Sequence, residues 1–299
     1  MQLFLTTLGP ARRDGDELIV LDGKLNLIEL AMSGDAADAA EVQRVPLSEA
    51  VLLAPTVPAK IVIVGMNSRS HMEEVGRPVP KDPDPKDMAI GFIDNVHTAS
   101  GPGAPIVLPV DAPERVDYEG EVAVVIGRAA SNVDAADAWS YIAGVTAGND
   151  VSARDVQMTA LTHIDRSSNA PVTVTPDMMA VMMTAKTFPS FKPLGPGLIT
   201  GSASRGPLSI RTTVNGEVRQ DARMDDDEYV FTIPEVLAAV SKIVALQPGD
   251  VIFTGSPAGI GEMRTPPVHL VPGDVVEVHL GDLPPLSNHV ADSDPTAPK

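Results

Sequence analysis

A mainly β architecture with a few helices, an α+β fold, is predicted for this chain of 299 residues by three features. Short runs of β-branched and other apolar residues recur along it, and Pro and Gly, 28 and 24 in number, separate those runs. Only two stretches combine helical periodicity with capping signals. In chain order the strand-like runs include "KIVIV" (60–64), "PIVLP" (105–109), "EVAVVIG" (121–127), "LSIRTTVNGEVRQ" (208–220), "DVIFTG" (250–255) and "DVVEVHL" (274–280). Asn215-Gly216, between two alternating runs, predicts a hairpin, because a type I′ turn needs positive φ at both central residues. "TIPEVLAAVSKIVAL" predicts a helix in which Thr232 is the N-cap and Glu235 completes a capping box. Val236, Leu237, Val240, Ile243 and Val244 form its apolar face. "VDAADAWSYIAG" predicts a second helix, opened by Asn132 or Asp134 and closed by Gly144.

Residues 1–57 read as short strands and turns ending in the Pro-spaced connector "LLAPTVPAK", hence a small N-terminal β-rich domain. The main domain is expected over 58–290, and the polar, Pro-containing tail 291–299 is expected to be disordered. The net charge of -18 opposes phosphate backbones and anionic lipid, and no Lys/Arg cluster offsets it, so nucleic-acid and membrane partners are set aside. "MQLFLTTLGPARR" has no basic region before its short apolar run, and no segment approaches the roughly 18 apolar residues of a membrane span; a cytoplasmic protein is expected. With no cysteine, disulfides, thiolate nucleophiles and zinc-thiolate sites are excluded. Any metal needs oxygen or imidazole ligands.

In "RVDYEGEVAVVIG" (115–127), Glu119 and Glu121 stand at the opening of the apolar run Val122 to Ile126. In an extended chain positions i and i+2 project from one face, about 6 to 7 Å apart. Two charges at that separation repel by about 3 kcal/mol at an effective dielectric near 20. Water, a shared proton or a cation can relieve the repulsion. "IAGVTAGND" reads as another strand, which delivers Asp150 just ahead of a helical turn at "VSARD". If the two strands are neighbours, three carboxylates converge on a hard-oxygen site that suits Mg2+, with Mn2+ or Ca2+ as substitutes.

In "GMNSRSHMEEVG", His71 and Glu74 stand at i and i+3, so on a short helix the carboxylate can orient the imidazole as a general base. "TGSPAGIGE" is glycine-rich beyond a strand end, where free backbone N–H groups can bind a carboxylate. It lacks a Walker ending, and Thr254 breaks the Gly-x-Ser-x-Gly pattern, so Ser256 is not a nucleophile. Asp225 to Glu228 reads as a solvated turn, "MMAVMM" (Met178 to Met183) as core packing, and the histidines other than His71 as structural.

"ERVDYEGEVAVVIGR", "NDVSARDVQ", "GDVIFTGSPAGIG" and "PGDVVEV", in this order and spacing, resemble the fumarylacetoacetate hydrolase family over most of 60–290. The resemblance implies a mixed β-roll core, a homodimer, a divalent metal held by Glu119, Glu121 and Asp150, and a His71–Glu74 dyad on a lid element. It further implies that Arg154 and Gln157 approach substrate or support the metal site, and that Lys186 stabilises developing enolate charge. Thr254, Gly255 and Ser256 would close on substrate oxygens. Three departures touch the substrate side: Ser68 follows Asn67 where the family usually has Tyr, Asp94-Asn95 stands where many relatives have Lys-Pro, and the segment 158–185 is longer. The implied activity is metal-dependent hydrolysis of a carbon-carbon bond in a 1,3-diketo acid resembling an acylpyruvate or fumarylpyruvate, within aromatic-compound catabolism. The alternative is hydration, decarboxylation or tautomerisation of a 2-oxo or 2-hydroxydienoic acid, and a third reading is a non-catalytic metal-binding module.

Overall fold

The computed structural model of the chain describes residues 1–93, 98–159 and 176–293, with main chain alone for 176–179. Asp94-Asn95, His97, His163, much of the 158–185 segment and the tail from 294 lie outside the described residues.

The larger sheet starts with β1 (Gln2–Thr6), β2 (Gly9–Asp14), β3 (Glu17–Leu21) and β4 (Glu41–Pro46), and β5 (Leu52–Leu53) adds to β1. It continues through β6 (Ile61–Gly65), β7 (Ala89–Ile93), β11 (Gly120–Ile126), β12 (Ile142–Asn149), β14 (Lys192–Ile199) and β17 (Val251–Phe253), while β8 (Ala99–Ser100) joins β14. Its order is β4-β3-β2-β1-β14-β12-β11-β17-β6-β7. A second sheet holds β16 (Glu217–Met224), β15 (Leu208–Val214), β18 (Val275–Leu280), β19 (Leu286–Ala291) and β9 (Ile106–Val107), in that order. The short pair β10 (Val116–Asp117) and β13 (Ser152–Ala153) stands apart. Most pairings are antiparallel, but β6 with β17, β8 with β14 and β9 with β19 run parallel, so the sheets are mixed.

Strand β11 reads as an uninterrupted apolar run because both its faces are buried. Val122, Val124 and Ile126 pack with Ile210, Val278 and Leu280 of the second sheet. Ala123 and Val125, on the other face, pack with Ile61, Ile63, Leu194 and Phe253. Each large side chain so buried contributes about 1.5 to 3 kcal/mol.

The expected hairpin joins β15 to β16, with φ of 52° at Asn215 and 78° at Gly216. The expected C-terminal helix is α5 (Ile233–Ile243), where Glu235 Oε2 accepts from Thr232 N at 2.8 Å. Its buried face is Ile233, Val236, Leu237 and Val240; Ile243 is 64% exposed, because Val244 leaves the helix in an extended conformation and the apolar stripe ends a turn early. The other expected helix shrinks to a 3-10 segment, Ala135–Ser140, with Asp134 as N-cap. Gly144 does not close it. That glycine lies inside β12, where a Cβ would sit 2.6 Å from the Ile199 carbonyl of the neighbouring strand.

The N-terminal segment also holds α1 (Leu27–Ser33), and its β1 pairs antiparallel with β14, bringing Phe4 opposite Gly197. A Cβ at Gly197 would fall 2.7 Å from the Phe4 ring, so this position needs glycine for close approach. Two further short helices, α2 (Arg69–Glu74) and α3 (Arg154–Thr159), and α4 (Pro176–Thr184) complete the α-helices among the described residues. Among the described residues no helix is long and apolar enough to cross a membrane.

Candidate active site

The antiparallel ladder of β11 and β12 ends with Gly120 opposite Asn149. One residue further, Asp150 N donates to Glu119 O at 2.8 Å, and Glu119 N donates to Asn149 Oδ1 at 3.0 Å. Glu119 and Asp150 therefore face each other across the end of the ladder, and Glu121 projects from the same face two residues along. The three buried carboxylates can offer oxygens that all lie within 4.8 Å of one another.

Three cations surround them. Lys186 Nζ donates to Glu119 Oε2 at 2.6 Å, Asp150 Oδ2 at 2.5 Å and Ser152 Oγ at 2.8 Å. Lys192 Nζ lies 2.8 Å from Asp150 Oδ1, an ion pair buried on both sides. Arg154 donates from Nη2 to Glu119 Oε1 and from Nη1 to Gln157 Oε1, both at 2.6 Å, and from Nε to Asp117 Oδ2 at 3.0 Å. Asp155, next to Arg154 in sequence, accepts from the backbone N–H groups of Glu114 and Arg115.

Asp117 ties this network to the loop beyond β17. Its Oδ1 accepts from Tyr118 N and Gly261 N at 2.9 and 2.8 Å, and its Oδ2 accepts from Glu262 N at 3.0 Å. A Cβ at Gly261 would stand 2.0 Å from Val268 O and 2.6 Å from Asp117 Oδ1. Gly261→Ala is therefore expected to lower stability by about 1 to 3 kcal/mol, read as a shift in the urea midpoint, because backbone and a buried carboxylate must both give way.

Burial opposes ionisation of Glu119, but the charges of Lys186 and Arg154 outweigh it and hold the carboxyl well below its ordinary range. Glu121 goes the other way. Burial, then the charges of Asp150 and Glu119, push its carboxyl well above the ordinary 4.5, although Gly255 N donates to its Oε2 at 2.7 Å. Burial lowers the Lys192 ammonium against the pull of Asp150. Counted as ionised, Asp117, Glu119, Glu121 and Asp150 outnumber Arg154, Lys186 and Lys192 by one charge. A proton on Glu121, or a cation against the cluster, relieves that excess. Three converging carboxylates, an oxygen-only donor set, fit a hard divalent cation.

The His71–Glu74 dyad forms on α2. His71 Nδ1 and Glu74 Oε2 are 3.0 Å apart, and Glu74 Oε1 accepts from Gly259 N at 2.8 Å. The loop that offers Gly255 N to Glu121 also offers Gly259 N to Glu74, which brings the dyad to the carboxylate side of the site. With Nδ1 engaged by the carboxylate, Nε2 is the ring nitrogen left for a reactant.

The loop after β17 is turned inward. Thr254 Oγ1 donates to Val122 O at 2.8 Å and lies 3.0 Å from Tyr229 OH; Ser256 Oγ accepts from Gln220 Nε2 at 2.6 Å. Gly255, at φ 103°, brings its N–H to Glu121. Thus the expected site residues gather in one place, with Arg154, Gln157 and Lys186 at the carboxylates, and Thr254 and Ser256 bonded to protein groups. Sequence reasoning missed Asp117, Lys192, Gln220, Glu228 and Tyr229. Only Asp117 carried a signal: it continues the i, i+2 spacing of Glu119 and Glu121 backward.

Residues 60–291 match the family described as fumarylacetoacetate (FAA) hydrolase C-terminal. Oxaloacetate tautomerase FAHD2A, mitochondrial, of Homo sapiens is 40% identical over 255 residues, covering 84% of this chain and 73% of that protein. The structure is similar to that of 5-carboxymethyl-2-hydroxymuconate delta-isomerase from Mycobacterium smegmatis, with TM-score 0.72, 31% identity, and 98% and 100% of the two chains covered. It is also similar to fumarylacetoacetate hydrolase from Exiguobacterium antarcticum, with TM-score 0.79, 26% identity and the same coverage. The matched region contains the three carboxylates, their three cations, the dyad and both loops that hold them, and on this ground the chain belongs to the fumarylacetoacetate hydrolase family.

Proposed function

We propose that this protein moves a proton between carbon and oxygen of a small anionic 2-oxo acid, as a divalent-metal-dependent keto-enol tautomerase or isomerase, with oxaloacetate the first substrate to test. The observation that carries the reading is the buried triad Glu119, Glu121 and Asp150, with the His71–Glu74 dyad beside it. The human relative's description as an oxaloacetate tautomerase supports the choice of substrate. A divalent ion held by the triad, Mg2+ in our reading with Mn2+ or Ca2+ as substitutes, would polarise the 2-oxo group and stabilise charge that develops there. It would also turn the single excess negative charge of the cluster into a single positive one, a field that favours an anionic reactant.

The chain's own groups divide the remaining work. Arg154 and Lys186 fix the carboxylate oxygens of Glu119 and Asp150, so the ligands need little reorganisation. Glu74 holds the His71 ring by Nδ1, and Nε2 carries the proton between the enol oxygen and carbon, from oxygen to carbon as the enol decays and the reverse as it forms.

The test follows the ultraviolet absorbance of enol-oxaloacetate with magnesium present, against the uncatalysed background, with mass spectrometry of the product. Faster decay at unchanged mass is expected, and His71→Ala should cost kcat on the order of 100-fold or more while magnesium affinity stays. No acceleration over background in magnesium-loaded protein would sink the reading. A second reading is hydrolysis of the carbon-carbon bond of an acylpyruvate, favoured by the 3.0 Å dyad, since a carboxylate-oriented imidazole can equally activate water. Two acids as products would establish it.

A further inference from the structure

Helix α2, which carries His71 and Glu74, has six residues and buries none of them. A helix this short does not hold itself in water, so something outside it must fix the dyad. Met72 gives it one apolar anchor against the core. The other fastenings are polar, and they centre on Glu228. Its Oε1 accepts from Ser68 Oγ and Ser70 Oγ, each at 2.5 Å, and from Ser70 N at 3.2 Å, while its backbone carbonyl accepts from Arg69 N at 2.9 Å. Ser70 Oγ in turn accepts from Ala258 N at 3.1 Å, next to the Gly259 N–H that holds Glu74.

Glu228 stands on a firm base. Asp225 Oδ1 accepts from the backbone N–H groups of Asp227 and Glu228, closing the turn before it. Directly after it, Tyr229 reaches Thr254, Val230 N donates to Asn67 O, and Phe231 N donates to Asn67 Oδ1 at 2.7 Å. Asn67 Nδ2 completes the lattice by donating to Phe231 O and Thr254 O. The acidic turn that reads in sequence as a solvated feature thus ends in a carboxylate gripped by two hydroxyls, and Ser68 and Ser70 are the residues that grip it.

We propose that Glu228 is a positioning residue: its carboxylate fastens the His71–Glu74 helix beside the carboxylate cluster before a reactant arrives. The catalytic consequence rests on the functional reading above; the fastening does not. Ser68 is then part of a hydroxyl clasp, and the lid is preset by this chain's own side chains.

The test is hydrogen exchange over residues 69–76 in magnesium-loaded protein without substrate, for wild type, Glu228→Ala, Glu228→Gln and Ser70→Ala, with kcat, KM and magnesium affinity measured alongside. In the alanine variant this segment should exchange at least about 10-fold faster and kcat should fall on the order of 10- to 100-fold, with magnesium affinity unchanged. Glu228→Gln keeps an oxygen that can accept from both hydroxyls, so it should stay within about 3-fold of wild type on both readouts. If Glu228→Ala does not fold, Ser70→Ala decides the matter, since it removes one hydroxyl of the clasp and leaves Ser68 on Glu228. Unchanged exchange in the variant that folds, free exchange of the segment already in wild type, or a kcat loss without faster exchange each overturn the proposal. A wild type inert toward oxo acids would remove the functional reading, while the exchange comparison would still decide what Glu228 does.

Discussion

Lys186→Met is expected to melt well below wild type when metal is absent, and magnesium should recover part of the difference. The ammonium is shared between Glu119 and Asp150, with Ser152 Oγ as its third acceptor, and all of these groups are buried. Removing it leaves the cluster with Arg154 and Lys192 against four carboxylates. Deleting one partner of a buried charge pair costs about 3 to 5 kcal/mol, because the remaining charges are desolvated and uncompensated. Glu119 keeps Arg154 and Asp150 keeps Lys192, so the domain still folds but with a lower margin. Magnesium supplies the missing positive charge to oxygens that the lysine no longer occupies, so the magnesium-induced rise in Tm should be larger in the variant than in wild type. Thermal melts with and without magnesium measure both quantities. A variant with the wild-type Tm in the absence of metal would show that Lys186 is not what balances Glu119 and Asp150.

Glu121→Gln is expected to abolish magnesium binding and turnover while leaving the metal-free protein at least as stable as wild type. The asymmetry comes from the proton. Burial and the charges of Asp150 and Glu119 hold the Glu121 carboxyl well above 4.5, so without metal the folded protein favours its neutral form. A group whose folded pKa is raised contributes stability that is full below its unfolded value and is lost as pH rises through the folded one. Glutamine is neutral at every pH, and its side-chain oxygen can still accept from Gly255 N, so the variant escapes that loss. Magnesium needs the carboxylate and must displace the proton. Wild-type affinity should therefore climb with pH from the ordinary carboxylate range up to the raised value, and level off above it. Calorimetric titrations at several pH values check this; wild-type magnesium affinity surviving in Glu121→Gln would remove Glu121 from the metal site.

Much of this was legible before the fold was known, and the reasons are local. Period-2 spacing put Glu119 and Glu121 on one face, and the turn at "VSARD" put Asp150 at a strand end, so only the adjacency of β11 and β12 remained to be supplied. The i, i+3 dyad and the Asn215-Gly216 hairpin follow equally from short-range geometry. What escaped was long-range. Lys192 reaches Asp150 because β14 lies beside β12, and Glu228 reaches Ser68 and Ser70 across some 160 residues of chain. Neither contact leaves a periodic trace. Thr254 and Ser256, which the resemblance turns toward substrate oxygens, have hydroxyls whose protein partners, Val122, Tyr229, Gln220 and Pro257, lie far from them in sequence or leave no spacing to read. Gly144 signals a helix end, but its missing Cβ serves a neighbouring carbonyl inside a strand.

The pairing of β1 with β14 bears on how the protein avoids sticking to itself. β14 lies next to β12, the strand that leads into Asp150, and its outer flank is covered by β1 along Gln2 to Phe4. A bare flank there would present a row of unpaired N–H and C=O groups, the kind of template on which foreign strands nucleate and aggregates grow. The first strand of the chain therefore acts as a shield for the sheet's most consequential neighbourhood, and it sends the open edge outward to β4, whose Glu41 and Arg44 carry charge that discourages docking.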